Sequence, residues 1–508
     1  MKHYDLIVVG SGAGNIVLDA ALEQNQRCAL VERDHFGGTC LNRGCIPTKV
    51  LVTAASVLSS SEHWDLMGVQ HEGLVANWSR IRERVLAKLQ ERHELRSYYE
   101  SRGVDCYQAT ARFSGPKELD LVDAEGQVCG RISAERIVLA TGAHTRIPQI
   151  EGLDQVPYWT SERFFEEVPE TLPRDVILIG GGVISCEFAH FLSAFGCQVH
   201  IVQRNLRLLP KAEAQLAEQL AEILQARGVQ IHFQQNSKAV WEREGRIHLL
   251  LEHRESKEQQ ELEADMLFLA PGVIPNSDNL NLQAAGLKAA EDASLPVNEC
   301  LETGQPGIYA LGDLIGGAKL RHKANNEAEL LAHNLYGEGA APNGVWRRQA
   351  YLHIPQVVFS EPELAWVGLT EAEARKRYPR LSLAERRYSE NAKGYALGYE
   401  AGQVDDGRVK FLIDDETGRI VGLHILGPEA SLLLQAYVYL LHAAPHEIPV
   451  LHPEIQASPD CLRARSLAEQ QLRPLPDSVA NIQQSMTAHP SLAEVSAWAF
   501  EHRRKIQD

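Results

Sequence analysis

The sequence GGTCLNRGCIPTK, residues 37–49, places two cysteines, Cys40 and Cys45, five positions apart and just before a proline. A disulfide needs Cα atoms within about 7 Å, which an extended strand cannot give at this separation, so the chain must coil between the two. Pro47 suits the first turn of a helix, which places Cys45 at a helix N-terminus, where the dipole favours a thiolate. The motif predicts a redox-active thiol pair. The alternatives are two buried small residues or half of a metal site, but no metal is expected because further zinc ligands are not nearby in the sequence.

The residues before this motif predict a βαβ unit. YDLIVV, residues 4–9, is typical of a buried parallel strand, and GSGAGN at 10–15 is a glycine turn that opens a helix. The next strand ends at an acidic residue about 20 positions on, where a carboxylate can bind the hydroxyls of an adenosine ribose. The pattern predicts a dinucleotide site whose pyrophosphate lies at the helix N-terminus. Its candidate residues are Gly10, Gly12, Gly14, Asn15 and Glu32.

A second unit of the same kind begins at VILIGGG, residues 176–182. The strand that follows ends in neutral and basic residues, whereas an acidic residue there would repel a 2′-phosphate. We therefore expect a second dinucleotide, NADPH in preference to NADH; the alternative is that the cations are simply solvated. The candidate residues are Gly180, Gly182, Ser185, Gln203, Arg204 and Arg207.

Length and composition limit the remaining possibilities. The 508 residues predict about three domains. A net charge of −17 argues against nucleic acid or an anionic membrane as a partner. No apolar run approaches the ~20 residues of a membrane span, and the N-terminus lacks the apolar region of a signal peptide. We expect a cytoplasmic protein, in which most of the nine cysteines stay reduced.

The other segments are less specific. Residues 79–103 predict a charged helical segment with a solvated face. From about residue 346, strands alternate with helices, which predicts an α+β domain. Within it, residues 445–477 are rich in proline and polar residues and predict an inserted surface loop or lid.

GGTCLNRGCIPTK resembles the active-site motif of the class I FAD-dependent pyridine nucleotide-disulfide oxidoreductases, a family that includes dihydrolipoamide dehydrogenase and mycothione reductase. ATGAHTRIP at 140–148, GIYALGD at 307–313 and SEPELAWVGLTE at 360–371 resemble further segments of that family. The resemblance implies an α/β fold with two Rossmann-like dinucleotide-binding domains and a C-terminal α+β dimerisation domain. The implied parts are FAD-binding residues 1–150 and 276–345, NAD(P)-binding residues 151–275, and interface residues 346–508.

The resemblance also implies roles for individual residues. Cys45 would be the flavin-side thiol and Cys40 the interchange thiol that attacks the substrate disulfide. Lys49 and Glu187 resemble the charged pair beside the reactive flavin nitrogen, in which the lysine stabilises negative charge on the reduced flavin. Further implied flavin contacts are Gly38, Thr39, Thr141, Gly142 and Asp313.

Thiol exchange also needs an acid–base group, for which histidine is suited near neutral pH. HPSLAE at 489–494 resembles the family's C-terminal motif, in which Glu494 would orient His489. His452 is the rival, but Ala457 stands where its orienting carboxylate should be. In the family this histidine reaches the active site of the other subunit, which implies a homodimer with a shared site.

The expected function is electron transfer between NAD(P)H, FAD, the Cys40–Cys45 disulfide and a small disulfide or dithiol, as in dihydrolipoyl dehydrogenase or mycothione reductase. One alternative is a flavin-only NAD(P)H oxidase or transhydrogenase. Another is a thiol redox sensor or a non-catalytic subunit of a complex.

Overall fold

A computed structural model describes residues 1–443, 448–466, 479–491 and 493–494. It is a mixed α/β structure, as the sequence predicts. The strands are β1 Lys2–Val9, β2 Cys28–Glu32, β3 Asp105–Gln108, β4 Thr110–Gly115, β5 Glu118–Val122, β6 Val128–Leu139, β7 Ala143–Thr145, β8 Asp175–Ile179, β9 Gln198–Gln203, β10 Gln230–Phe233, β11 Gln235–Arg243, β12 Arg246–His253, β13 Gln259–Ala264, β14 Met266–Leu269, β15 Val273–Pro275, β16 Ile308–Ala310, β17 Gln356–Val358, β18 Glu363–Gly368, β19 Leu381–Arg387, β20 Arg408–Asp414 and β21 Arg419–Gly427. The α-helices are α1 Gly14–Glu23, α2 Gly38–Asn42, α3 Cys45–Ser60, α4 Trp78–Gln90, α5 Arg92–Ser101, α6 Ser161–Glu167, α7 Val183–Ala194, α8 Ala214–Ala226, α9 Arg321–Tyr336, α10 Glu371–Arg377, α11 Ala392–Ala396, α12 Ala430–Ala443, α13 Pro459–Ser466 and α14 Val479–Gln484.

The first sheet is built around the predicted βαβ unit. Its strand order is β3-β2-β1-β6-β5-β4, and β1 pairs in parallel with both β2 and β6. Strand β16 also pairs with β6, although about 170 residues separate the two in sequence. The residues around β16 therefore return to the first sheet after the second unit has been completed, which is the split arrangement that the resemblance implies.

The second unit forms a parallel sheet in the order β10-β9-β8-β14, next to the antiparallel sheet β11-β12-β13. Strands β7 and β15 pair with each other where the chain leaves and re-enters the first unit. Residues 146–272 thus lie between the two paired strands of one short ribbon.

The C-terminal part is an antiparallel sheet in the order β17-β18-β21-β20-β19. Its buried Lys410 lies 2.7 Å from Glu213, just before α8, and 2.7 Å from Glu371 at the start of α10. This charged cluster joins the C-terminal sheet to the second unit.

The charged segment 79–103 is helical, as the sequence predicts, and forms two helices, α4 and α5. One prediction needs correction. Residues 448–466 of the predicted inserted loop are not a free lid, because Ala457, Cys461 and Ala464 are buried in the core of the first unit. The sequence missed this because the apolar residues are widely spaced among prolines and charges. Residues 445–447 and 467–477 of that prediction lie outside the described residues.

In the described part of the chain, we find no helix that is both long and apolar enough to cross a membrane.

Candidate active site

The two motif cysteines lie on two short consecutive helices. Cys40 belongs to α2, and Cys45 is the first residue of α3, with Gly44 as its N-cap. The chain thus coils between the thiols, and Pro47 lies in the first turn of α3, as predicted. The Sγ of Cys40 lies 3.0 Å from Nε2 of His489, and the two sulfurs and the imidazole nitrogen lie within 4.8 Å of one another. A pair of thiols and an acid–base group therefore occupy one compact site.

The two thiols differ in pKa. The pKa of Cys40 is lowered, because the hydrogen bond from Cys45 and the positive charge of Arg321 outweigh its burial. The pKa of Cys45 is raised well above its usual value by its hydrogen bond to Cys40 and by burial. The lower pKa of the pair therefore lies at Cys40, and the thiolate that the sequence predicts at Cys45 stays a prediction. The two thiols titrate as a coupled pair, because a negative charge on one disfavours a negative charge on the other.

His489 is held by a carboxylate, as the sequence predicts. Its Nδ1 lies 2.6 Å from Oε1 of Glu494, so Nδ1–H donates to the carboxylate and Nε2 faces Cys40. Burial lowers the pKa of His489, but the hydrogen bonds and charges of Cys45 and Glu494 raise it overall to about 9. The imidazole is therefore protonated at neutral pH, and it can stabilise a thiolate and supply a proton to a leaving thiol.

Polar side chains from two helices fix the segment that bears His489. Gln435 of α12 accepts a hydrogen bond from the N–H of Ala488 at 3.0 Å. Asn326 of α9 donates to the carbonyl of Gln484 at 3.0 Å. The rival His452 is exposed and bonds the exposed Glu454 at 2.9 Å, so the structure brings His489 and not His452 to Cys40.

The contact between His489 and Cys40 is made within one chain in this structure. The path of the chain allows this: residues 448–466 pack on the first unit, and α14 then lies close to both α9 and α12. A segment joined by a long connection can make the same contacts on its own chain as on a second copy. The sharing of the site between two subunits, which the resemblance implies, therefore stays a prediction.

The thiol pair and His489 together form a group that could hold a metal ion. Cys40, Cys45 and His489 offer three ligand atoms of the kind that soft metals bind. The sequence does not bring the three together, because His489 lies 449 residues from Cys40 along the chain. The absence of a bound metal stays a prediction of the sequence.

A cleft of about 500 Å3 begins at the thiols and ends beside Glu32, and it is lined by most of the predicted flavin contacts. Gly10 has a φ of 99°, and a Cβ there would lie 2.3 Å from the carbonyl of Ala140. A Cβ on Gly14 would lie 2.7 Å from the side chain of Val8, so Gly14 allows close packing of α1 on β1. Gly12 and Gly38 pack against each other, and their backbone forms the floor of the cleft. This cradle of backbone fits a pyrophosphate.

The ends of the cleft are polar. Glu32 accepts hydrogen bonds from the N–H and hydroxyl of Ser11 at 2.9 and 2.7 Å, which hold its carboxylate at the end of β2. Asn15 fits in place of the usual glycine because its side chain donates to the carbonyl of Ser11. These contacts place a carboxylate where an adenosine ribose would lie.

Asp313 lines the same cleft as Thr39, Thr141 and Gly142. Burial raises the pKa of Asp313, while the charges of Lys323 and Lys319 oppose the rise. The residues present therefore fit FAD: Glu32 would bind the ribose, the glycine turn the pyrophosphate, and Asp313 the ribitol.

Lys49 and Glu187 are close enough to interact electrostatically, although they come from α3 and α7. Burial lowers the pKa of Lys49 to about 8, and the charge of Glu187 opposes this change. Burial raises the pKa of Glu187, which also accepts a hydrogen bond from the N–H of Phe359 at 3.0 Å. A lysine one helical turn after Cys45 can stabilise negative charge close to the thiol pair.

The second glycine turn has the same geometry as the first. Gly180 has a φ of 117°, and a Cβ there would lie 2.2 Å from the carbonyl of Ala270. Gly182 has open space around it, which leaves room for a phosphate at the start of α7. Ser185 is fully buried in α7, and its hydroxyl has no hydrogen-bond partner among the described residues.

The predicted NADPH determinants are not equivalent. Gln203 is buried, and its amide donates to the carbonyl of Arg207 at 3.0 Å, so this side chain shapes the loop. Arg207 lies 3.8 Å from Glu218. Arg204 is exposed at the end of β9, so it is the cation best placed for a 2′-phosphate.

Sequence reasoning missed Arg321 as a site residue. It lines the cleft between Gly12 and Cys40, and its charge lowers the pKa of Cys40. It is the first residue of α9. A lone arginine gives no indication in sequence of what it contacts.

Comparison with known families agrees with this geometry. Residues 4–328 match the family described as pyridine nucleotide-disulphide oxidoreductase, and residues 354–459 match its dimerisation domain. The chain belongs to this family. It is therefore an FAD-dependent disulfide oxidoreductase with redox-active cysteines, and it uses a pyridine nucleotide. The match to the dimerisation domain supports a homodimer.

Curated relatives include two kinds of enzyme. A dihydrolipoyl dehydrogenase of Rhizobium etli is 31% identical over 474 residues, covering 89% of this chain and 94% of the relative. A mycothione reductase of Mycobacterium tuberculosis is 31% identical over 446 residues, covering 86% and 92%. Among solved structures, the Cu(II) complex of the HOCl-induced flavoprotein disulfide reductase RclA from Escherichia coli has a TM-score of 0.73 at 24% identity, covering 91% of this chain and 98% of that one. This last likeness shows the fold alone.

Proposed function

We propose that this protein passes electrons from NAD(P)H through FAD and the Cys40–Cys45 pair to a small disulfide, or in the reverse direction from a dithiol. The observation that carries the proposal is the contact of 3.0 Å between Cys40 and a histidine that is itself held by Glu494. A thiol, a base and an orienting carboxylate are what thiol exchange needs, and a flavin-only oxidase needs none of them.

In the direction of disulfide reduction, the Cys40 thiolate attacks one sulfur of the substrate. The substrate S–S bond breaks, a Cys40–substrate mixed disulfide forms, and the leaving thiolate takes the proton from His489. Cys45 then loses its proton to His489 and attacks the Cys40 sulfur, which releases the second substrate thiol and forms the Cys40–Cys45 disulfide. The substrate has gained two electrons and two protons.

FAD, when bound, carries the two electrons between the pyridine nucleotide and the cysteine pair. Lys49 lies one turn beyond Cys45 and provides positive charge close to the thiol pair. Its low pKa of about 8 lets a small change in local charge alter its protonation. When no other negative charge is nearby, the carboxylate of Glu187 offsets part of the free energy needed to keep the Lys49 ammonium charged away from water.

We propose NADPH as the preferred nucleotide, because Arg204 is exposed at the end of β9 where a 2′-phosphate would lie. Arg204→Glu should lower kcat/KM for NADPH by about tenfold or more and leave that for NADH much less affected. A wild-type enzyme that strongly prefers NADH would contradict this assignment. A cytoplasmic location stays a prediction of the sequence.

The relay is tested by Cys40→Ser, with Cys129→Ser as a control on an exposed cysteine far along the chain. Cys40→Ser should retain FAD and the reduction of artificial dye acceptors, which need only the flavin, but lose disulfide reduction by at least about 1000-fold. The control should keep both activities. Disulfide reduction at the wild-type rate in Cys40→Ser would refute the relay and favour a flavin-only oxidase or transhydrogenase.

The substrate type is decided by steady-state rates with lipoamide, glutathione disulfide and mycothiol disulfide, each with NADH and NADPH. Dihydrolipoyl dehydrogenase-like activity predicts that lipoamide is best, and mycothione reductase-like activity predicts mycothiol disulfide. Negligible turnover with all of them would instead support a redox sensor or a non-catalytic subunit.

Soft-metal binding is a second candidate function, favoured by the cluster of Cys40, Cys45 and His489. Titration of the reduced protein with Cu(I) or Zn(II) should give stoichiometric binding that His489→Ala weakens. Equal binding by wild type and variant would exclude this three-ligand site.

A further inference from the structure

A second pair of cysteines lies away from the active site. Cys300 is in the turn before β16, and Cys461 is in α13; both are fully buried in the core of the first unit. Their side chains are close enough to hydrogen-bond to each other. The proposed relay uses neither thiol.

Polar contacts on both sides fix this pair in register. Glu299, next to Cys300, is fully buried and accepts two hydrogen bonds from Arg465, which lies one helical turn after Cys461. Glu299 also accepts from the N–H of Leu451 at 3.1 Å. Because these contacts flank the thiols in both segments, they hold the turn of Cys300 and helix α13 in a fixed position relative to each other.

A third contact closes the other side. Glu302 accepts a hydrogen bond from the N–H of Ser458 at 3.1 Å, and the hydroxyl of Ser458 accepts one from the N–H of Cys461. Residues 448–466 are thus attached to the turn 298–302 by side-chain contacts at both ends, with the thiol pair between them.

Burial also sets the reactivity. The hydrogen bond to Cys461 and burial raise the pKa of Cys300 far above its usual value. A protonated, inaccessible thiol reacts slowly with oxidants, so reaction requires α13 to open away from the turn.

We propose that Cys300 and Cys461 are a second redox pair, which a low-molecular-weight disulfide converts into a disulfide bond. The thiolate of one cysteine attacks the small disulfide, forms a mixed disulfide and releases one thiol. The other cysteine then attacks the mixed disulfide, which closes the Cys300–Cys461 bond and releases the second thiol. Two electrons and two protons pass to the small disulfide.

The bond would have a consequence for the active site. It would tie α13 covalently to the first unit, and α14 and His489 follow α13 in the chain. Oxidation of the pair would therefore fix the segment that leads to His489 on the first unit of the same chain. In the reduced protein, only the polar contacts would hold that segment there.

The test uses full-length protein with Cys40→Ser and Cys45→Ser, so its outcome does not depend on the proposed relay. The reduced protein is incubated with hydroxyethyl disulfide, free thiols are alkylated, and peptides are mapped by mass spectrometry. The expected result is a linked Cys300–Cys461 peptide in most of the sample, formed faster in urea below the unfolding midpoint. The same mapping on wild-type protein guards against misfolding of the variant.

Two further variants serve as controls. Cys300→Ser in the same background should abolish the link, and Cys197→Ser, a change at another buried cysteine, should leave it intact. The link should also slow proteolysis within residues 448–466 at least severalfold, and dithiothreitol should reverse this protection. Absence of the linked peptide under conditions that fully oxidise Cys40–Cys45 in wild type would overturn the proposal, as would a link to a different cysteine.

Discussion

Replacing Glu494 by glutamine tests how the structure holds a proton on His489. The pKa of His489 rises from 6.5 to about 9, which corresponds to about 3 kcal/mol of preference for the imidazolium. Glu494 and Cys45 each act through a hydrogen bond and a charge, whereas burial opposes both. Glu494→Gln removes one of the two charges but leaves His489 buried, so the pKa of His489 should fall by about 1 to 2. This fall corresponds to a loss of about 1.4–2.7 kcal/mol in the free-energy preference for the imidazolium.

The sign of the pH effect follows from this direction. Because the pKa of His489 is raised, its imidazolium form is fully present below pH 6.5 and is lost as the pH rises through about 9. In wild type at pH 8, about nine-tenths of His489 is protonated; with the pKa lowered by about 1.5, about a quarter would be. The alkaline limb of disulfide reduction should therefore move to lower pH in the variant by about the same amount.

Two assays measure the change. The first is the pH profile of kcat/KM for the disulfide substrate. The second is the rate of alkylation of Cys40 by iodoacetamide in the reduced protein, which reports the thiolate directly. Glu454→Gln is the matched control, because Glu454 bonds the exposed His452 in a similar way, and its pH profile should stay that of wild type. An unmoved alkaline limb in Glu494→Gln would refute the view that this carboxylate holds the charge on His489.

Three other predictions follow from the packing. Gln435→Ala removes the acceptor for the N–H of Ala488. This variant should lower kcat for disulfide reduction by about tenfold with little change in KM for the nucleotide. An unchanged kcat would show that Gln435 does not position His489. Gly182→Ala places a methyl group in the open space at the start of α7. KM for the nucleotide should rise at least tenfold, while the melting temperature should stay within a few degrees of wild type. A large loss of stability would contradict the assignment of Gly182 to the nucleotide site. Lys410→Met leaves Glu213 buried without its cation; the free energy of unfolding in urea should fall by about 3 kcal/mol, and a fall below about 1 kcal/mol would mean that water replaces the lysine.

The local parts of the site could be predicted because their determinants are local. A glycine with φ near 100°, as at Gly10 and Gly180, is required by a tight strand-to-helix turn and is visible as a letter in the sequence. The helix start at Cys45 follows from Gly44 and Pro47 in the same way. Glu32 and Gln203 could be placed at strand ends from the pattern, but what their side chains bond could not. Gln203 was expected to face the nucleotide and instead bonds its own loop.

The sequence by itself determined the two glycine turns, the thiol pair and the histidine motif, because backbone conformation and short spacings depend on neighbours a few residues apart. The tertiary structure alone decided which partners these groups meet. It brought His489 to Cys40 across 449 residues in the same chain, placed Arg321 where its charge acts on that thiol, and placed Cys300 near Cys461. Contacts between distant segments depend on how complete units pack, and burial and charge at those contacts then set which thiol loses its proton first.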